Sequence, residues 1–344
     1  MSSIALESRP ARRAATRDGW LILALVGLLL ILMVASLIVG RVPLAFIATL
    51  RELLSGDETT AALILGEIRF PRAILAALIG ATLGAAGAAM QGLLRNPLAE
   101  PGILGVSASA GLGAVIALYF GLSQTFSFAL PAAGMTGALL AVLLTYVLSG
   151  RDASIFTLIL AGVAVNAFAG ALTSLALNLA PSPYAALEIV FWMLGSLADR
   201  SFDHIRIALP LMAVGGILLA GTGRALNALS LGEDVARSLG VNLRIVRARL
   251  ILGTAFSVGA AVSVSGTIGF VGLVVPHLLR PLVGHEPGRL MLPSALGGAA
   301  LVLAADIATR VVPVEPDLQL GVVTAIVGAP FFLYLILHIR RSMR

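Results

Sequence analysis

The sequence predicts an all-α integral membrane protein of about ten transmembrane helices, with both termini in the cytoplasm. Three observations carry this. Of its 344 residues, 59% are hydrophobic and 12% charged, and the mean hydropathy of +1.02 lies outside the range of a water-soluble domain. Apolar runs recur along nearly the whole chain, and a helix needs roughly 20 apolar residues to cross a hydrocarbon core of about 30 Å. Arginine is also shared unequally between the loops that such runs place on opposite sides.

The first run, Leu21 to Gly40, follows the basic stretch ARRAATRDGW. It is longer than a signal-peptide core and no A-x-A-like site follows, so an uncleaved helix over 20–40 is expected behind a cytoplasmic segment, 1–19. Further spans are expected at 73–93, 103–121, 126–148, 154–179, 205–221, 249–268, 269–279, 290–309 and 320–338, all within one polytopic domain, 20–344. The run 269–279 is half a span, which requires burial among other helices or a re-entrant turn. With the N-terminus inside, sixteen arginines fall on the cytoplasmic side; Arg41, Arg51, Arg69, Arg72, Arg200, Arg206 and Arg310 fall outside.

All 23 basic residues are arginine, and without lysine the chain has no phosphate-binding P-loop of its own. It also lacks cysteine, which excludes disulfides and thiolate sites. His204, His277, His285 and His338 are too scattered for metal-ligand spacing, and His277 is expected to be a polar helix cap. Gly80, Gly84 and Gly87 recur at helical spacing and are expected to form a close helix-packing face. A short echo between 69–89 and 244–263 suggests inverted halves.

The longest polar cytoplasmic stretch, 223–249, reads as two short amphipathic helices joined at Leu231-Gly232 and closed by Gly240. Glu233 and Asp234 then start the second helix, where its dipole favours negative charge. Such a unit suits either lipid headgroups or a cytoplasmic partner.

RFPR (69–72), GAAMQGLLRNPLAEPGILGVSASAG (87–111), LILAGVAVNA (158–167), FWMLGS (191–196), LGEDVARSLGV (231–241), SGTIGFVGLVVPHLLRPLVG (265–284), LPSALGGAALVLAADIATR (292–310) and LGVVTAIVGAPFFLYLI (320–336) stand in order along the chain. From about residue 60 onward it resembles the FecCD-type permease subunits of ATP-binding-cassette importers for ferric siderophores, haem and vitamin B12. The resemblance implies a type II importer permease of a bacterial inner membrane. It would work as a homodimer with two cytoplasmic ATPase subunits, which use ATP and magnesium, and a periplasmic binding protein. No cofactor would be bound by this chain, and no nucleic acid.

The resemblance also implies residue roles. The ATPase-coupling segment, about 223–242, would present Leu231, Gly232, Glu233, Asp234, Arg237, Leu239 and Gly240. Arg69, Arg72 and Arg310 would meet acidic residues of the binding protein. Asn166, Thr173, Ser174 and Asn178 would border the translocation path. Glu100, in the loop after the second span, is expected to pair with Arg95 or to contact the ATPase. The loop 311–319 departs from the family pattern by two extra prolines around Glu315.

The cargo is expected to be an iron complex, with a cobalamin importer as the alternative. An ion-coupled secondary transporter would need carboxylates within the membrane, and Glu188 and Asp306 are the only two near a span. A membrane enzyme would need a cluster of nucleophile, base or metal ligands that the sequence lacks.

Overall fold

The computed structural model describes residues 8–126, 128–150, 154–312, 314 and 317–342; the side chains of 8–16, 155 and 338–342 are not part of that description. Arg151 and the Glu315 turn therefore lie outside the described residues. The chain is helical almost throughout, in the order α1 (Ser8–Ile38), α2 (Phe46–Ser55), α3 (Thr60–Leu63), α4 (Phe70–Leu94), α5 (Val106–Tyr119), α6 (Leu122–Thr125), α7 (Ala129–Ser149), α8 (Ile155–Asn178), α9 (Pro183–Met193), α10 (Phe202–Ala220), α11 (Gly223–Ser230), α12 (Glu233–Ser238), α13 (Leu243–Ser265), α14 (Val271–Leu279), α15 (Pro287–Val311) and α16 (Leu320–Ser342). No strand occurs among the described residues.

Among the described residues, eight helical stretches are long and apolar enough to cross a membrane. The ten expected segments each coincide with a helix, and two of them, α5 and α14, are half-spans. Helix α1 begins at Ser8 and so runs well into the segment expected to precede it. Its Arg17 donates to the carbonyls of Pro281 and Leu282, and its Asp18 pairs with Arg289 at 2.7 Å. The first helix is thereby tied to the cytoplasmic turn before α15.

At the centre lies α4, whose small residues let other helices approach its backbone. A methyl group on Gly80 would stand 2.2 Å from the carbonyl oxygen of Gly298, and one on Gly84 would stand 1.9 Å from that of Ser294, both on α15. Gly87 meets the backbone of Gly272 on α14 in the same way. The expected packing face is therefore the α4–α15 and α4–α14 contact. Lipid supplies no hydrophobic drive between helices, so close backbone packing holds such pairs together.

The half-spans are made by non-helical backbone buried inside the bundle, the only place where the membrane tolerates it. Helix α4 ends at Arg95, and the chain turns through Asn96-Pro97 into a single 3₁₀ turn, Pro101–Leu104, before α5. Ile103 and Leu104 lie against Gly162 of α8, so the turn re-enters the bundle rather than lying on its surface. Glu100 does not pair with Arg95: its Oε1 accepts the Phe270 N–H at 3.1 Å, at the start of α14. Gln91 donates to the carbonyls of Gly272 and Leu273 and accepts from Arg280 at 2.7 Å. The two half-spans are thus fastened to each other and to α4. Beside the stretch that leads into α14, the Leu320 N–H donates to Gly195 O and the Ser196 N–H to Ser265 O, which joins the ends of α9 and α13 to the start of α16.

Candidate coupling segment, arginine cluster and transport path

Helices α11 and α12 form with the join expected from sequence, Leu231-Gly232 between them and a left-handed Gly240 (φ 81°) after them. Gly232 has φ 115° and ψ 155°, a region that a side chain makes costly, so the sharp turn between the helices depends on this glycine. Leu226, Leu229 and Ala236 are buried against the bundle, and the Asn227 side chain accepts the Gly288 N–H at 2.7 Å. The opposite face carries Leu231 (66% exposed), Val235 and Leu239 (63% exposed), four residues apart in sequence. Val235 and Leu239 share one face of α12 by that spacing, and Leu231, at the turn just before the helix, adds a third exposed apolar side chain to the same cytoplasmic segment.

Charges fix how this segment is held. Glu233 and Asp234 occupy the first turn of α12 and Arg237 the last, the arrangement the helix dipole favours. Arg237 bonds Asp234 at 2.7 Å and Glu233 at 3.1 Å, while the other oxygen of Glu233 takes Arg247 of α13 at 2.7 Å. Glu233 therefore bridges the surface segment to a membrane-spanning helix. Sequence reasoning found Glu233 and missed Arg247, whose link crosses 14 residues.

On the opposite side of the membrane, the three arginines assigned to docking are turned inward. Arg69 is 4% exposed and donates to the carbonyls of Leu37, Ile38 and Val42. Arg310 donates to Ser36 O and Val39 O, each at 2.8 Å, and to Ser36 Oγ at 2.7 Å. The carbonyls of Ser36, Leu37 and Ile38 belong to the last turn of α1, where a helix leaves its last acceptors unpaired, and those of Val39 and Val42 follow it. Asp306 is fully buried and receives Arg72 at 2.9 Å and Arg310 at 2.9 Å. A π-turn over Ile64–Arg69 joins α3 to α4 and places Arg69 at this junction. Within this chain, then, the arginines fasten α1, α4 and α15 together. Ser36 was not singled out from sequence, since nothing distinguishes it from any serine in an apolar run.

Asn166, Ser174 and Asn178 all lie on the exposed side of α8. Thr173, by contrast, is buried within the chain, and its hydroxyl donates to Ala169 O at 2.9 Å one turn earlier, a bond internal to the helix. Glu188 is exposed on α9, the one helix of ten or more residues, apart from α2, that the expected spans did not cover. His277 packs edge-on against Phe331 with ring centroids 5.7 Å apart. No group of three potential metal ligands occurs among the described residues.

Comparison with known proteins covers most of the chain. Residues 28–338 match the FecCD transport family. The chain is 42% identical over 297 residues to YvrB, an ABC transporter permease protein of Bacillus subtilis, covering 85% of this chain and 83% of that one. It is 39% identical over 297 residues to the cobalamin import system permease protein BtuC of Halobacterium salinarum, covering 86% and 79%. Among solved structures it is similar to a metal-chelate type ABC transporter in an inward-facing conformation, with a TM-score of 0.79 and 30% identity over 93% of this chain and 99% of that one.

Proposed function

We infer cargo and partners from one premise, that this chain belongs to the FecCD transport family and is the membrane-spanning permease of an ATP-binding-cassette importer. It moves solute and catalyses no reaction of its own; a separate ATPase and a substrate-binding protein complete such an importer. The proposed cargo is a metal-centred chelate too large for a simple ion path, and a corrinoid is the first choice. One observation supports that choice: the 39% identity to a permease named for cobalamin import, spread along 86% of the chain. An iron complex, ferric siderophore or haem, is the second reading, favoured by the likeness to a metal-chelate type transporter.

In the proposed mechanism two copies face each other across exposed sides of α8 and α16, with Asn166, Ser174 and Asn178 bordering the path between them. The exposed Leu231, Val235 and Leu239 enter the ATPase, and Gly232 and Gly240 set their angle. Glu233, through Arg247, passes the displacement of the segment to α13; a rigid link of this kind suits alternating access between two packings. Outside, Arg72 is proposed as the member of the arginine cluster that a carboxylate of the binding protein reaches, with Arg69 and Arg310 holding the surface in shape.

The test is uptake by vesicles containing this chain, its ATPase and its binding protein. Labelled cobalamin should enter only with ATP, and a ferric siderophore offered in parallel separates the two cargo readings. Uptake of neither, or uptake without the ATPase, would overturn the proposal. Leu231→Arg should keep ATP hydrolysis while lowering uptake roughly tenfold, the effect of losing one buried contact at the partner surface. Normal uptake by that variant would remove Leu231 from the coupling surface.

A further inference from the structure

Helix α2 (Phe46–Ser55) lies just past the outer end of α1, and neither the span pattern nor the transport cycle gives it a task. Its inner face is settled by the chain itself. Thr49 is 3% exposed, and Phe46, Leu50 and Leu53 pack against the core. A methyl group on Gly66, in the π-turn before α4, would stand 3.0 Å from Leu53 Cδ1. Glu52 accepts the Thr59 hydroxyl at 2.7 Å, which holds α2 to the start of α3.

The outer face is not polar, as it would be on a helix lying between protein and water. At about 100° per residue, Ile47, Arg51 and Leu54 fall within roughly 60° of arc. Ile47 is 76% and Leu54 80% exposed, and Arg51 stands exposed between them. A helix with aliphatic residues on two opposite sides calls for a second apolar phase beyond the protein. The path of the chain places that phase. The exposed Ile31, Val34 and Ile38 of α1 are followed by the exposed Val42 in the link and then by Ile47. The link 39–45 is short, and Arg69 grips its Val42 carbonyl together with the carbonyls that end α1. Helix α2 is thereby kept at the level where α1 leaves the hydrocarbon. Phosphates lie there, so a guanidinium finds counter-charge while aliphatic neighbours reach the acyl chains. A substrate-binding protein suits the face less well, because each departure would leave Ile47 and Leu54 in water.

We propose that α2 is an interfacial helix of the outer leaflet, with Ile47 and Leu54 in the acyl boundary and Arg51 at lipid phosphate. In that position it ties the corner made by α1, the π-turn and Arg69 to the membrane surface. The inference rests on α1 crossing the membrane and stands whatever cargo the permease carries.

The experiment uses the full chain in phosphatidylglycerol-containing liposomes. Because the chain has no cysteine, Ile47→Cys and Leu54→Cys each accept a single spin label, and Asp57→Cys, in the exposed stretch after the helix, is the reference. Oxygen, which partitions into hydrocarbon, should broaden the spectra of the first two labels. A water-soluble nickel chelate should reach them about tenfold less than it reaches Asp57→Cys, as befits aliphatic positions taken out of water. Adding Arg51→Glu should raise nickel access at Leu54→Cys about fivefold, since the attraction to phosphate is replaced by repulsion. Labels at Ile47→Cys and Leu54→Cys as open to nickel as the reference, or indifferent to Arg51→Glu, would overturn the proposal. Protection that appears only when the binding protein is added would assign the face to that partner, and protection from oxygen and nickel alike would assign it to a second copy of the chain. Either result overturns the proposal equally.

Discussion

Asp306 has no exposed surface, yet it carries a charge between two arginines, Arg72 and Arg310, both at 2.9 Å. A buried carboxylate is tolerable only with such partners, since desolvation costs more than one mediocre pairing returns. The cluster as a whole has three guanidinium groups to one carboxylate. Its surplus is met by backbone carbonyls at the end of α1, which carry the partial negative charge of a helix C-terminus. Replacing Asp306 by Ala leaves two cations facing each other without a counterion. The expected loss is about 3–5 kcal/mol, seen as a lowered unfolding midpoint in detergent micelles. Asp306→Asn keeps an acceptor and should recover part of that loss. An unchanged midpoint for Asp306→Ala would show that Arg310 is held by the carbonyls at the end of α1 and that the pairing of Arg72 contributes nothing to stability. RFPR and the aspartate of ADIATR were visible as motifs, but the partners of Arg69 are main-chain carbonyls, which no side-chain pattern reports.

At the scale of elements, legibility follows the physical signal each one carries. Ten apolar runs were readable because hydrocarbon demands them, and the half-length run 269–279 announced a broken helix through its length alone. The re-entrant stretch 95–105 was readable as a turn; its attachment to α14 was not, because Glu100 bonds a backbone N–H 170 residues away. Helix α9 is not among the apolar runs that read as spans: its 11 residues are too few to cross a membrane and are introduced by prolines that read as loop, so only the family resemblance implies a short helix after the fifth. The π-turn before α4 has no periodic signature. The glycine face, by contrast, was legible and makes a sharp prediction. Gly84 touches α15 where a methyl group would lie 1.9 Å from a carbonyl oxygen, and on a central helix the two backbones cannot separate without moving α14 as well. Gly84→Leu should cost at least the 1–3 kcal/mol typical of overpacking, about, and abolish the monodisperse peak in size-exclusion chromatography. Gly216→Leu on α10, where nothing lies within 4 Å of the added carbon, should be tolerated. Similar behaviour of the two variants would sink the packing argument.

For the whole molecule, the exposed apolar surface is the quantity that decides assembly. Most of it is what a membrane protein shows to lipid, so exposure alone identifies no partner. Helix α8 differs in combining large apolar residues, Phe168 and Leu175, with the exposed polar groups Asn166, Ser174 and Asn178. Polar groups inside a membrane face protein or water rather than hydrocarbon. That makes α8 the side expected for the proposed second copy, and the absence of cysteine makes it testable without background. A two-fold axis beside α8 brings the same residue of each copy close together, and a disulfide forms only when the two Cα atoms come within about 7 Å. Single variants Ser174→Cys and Asn178→Cys, oxidised in native membranes, should give a band of twice the monomer mass that reductant removes. Ile217→Cys on α10, also exposed, should stay monomeric because an apolar position of this kind is expected to face lipid. Cross-linking at Ile217→Cys with none along α8 would move the axis to α10, and with it the path that Asn166, Ser174 and Asn178 are proposed to border.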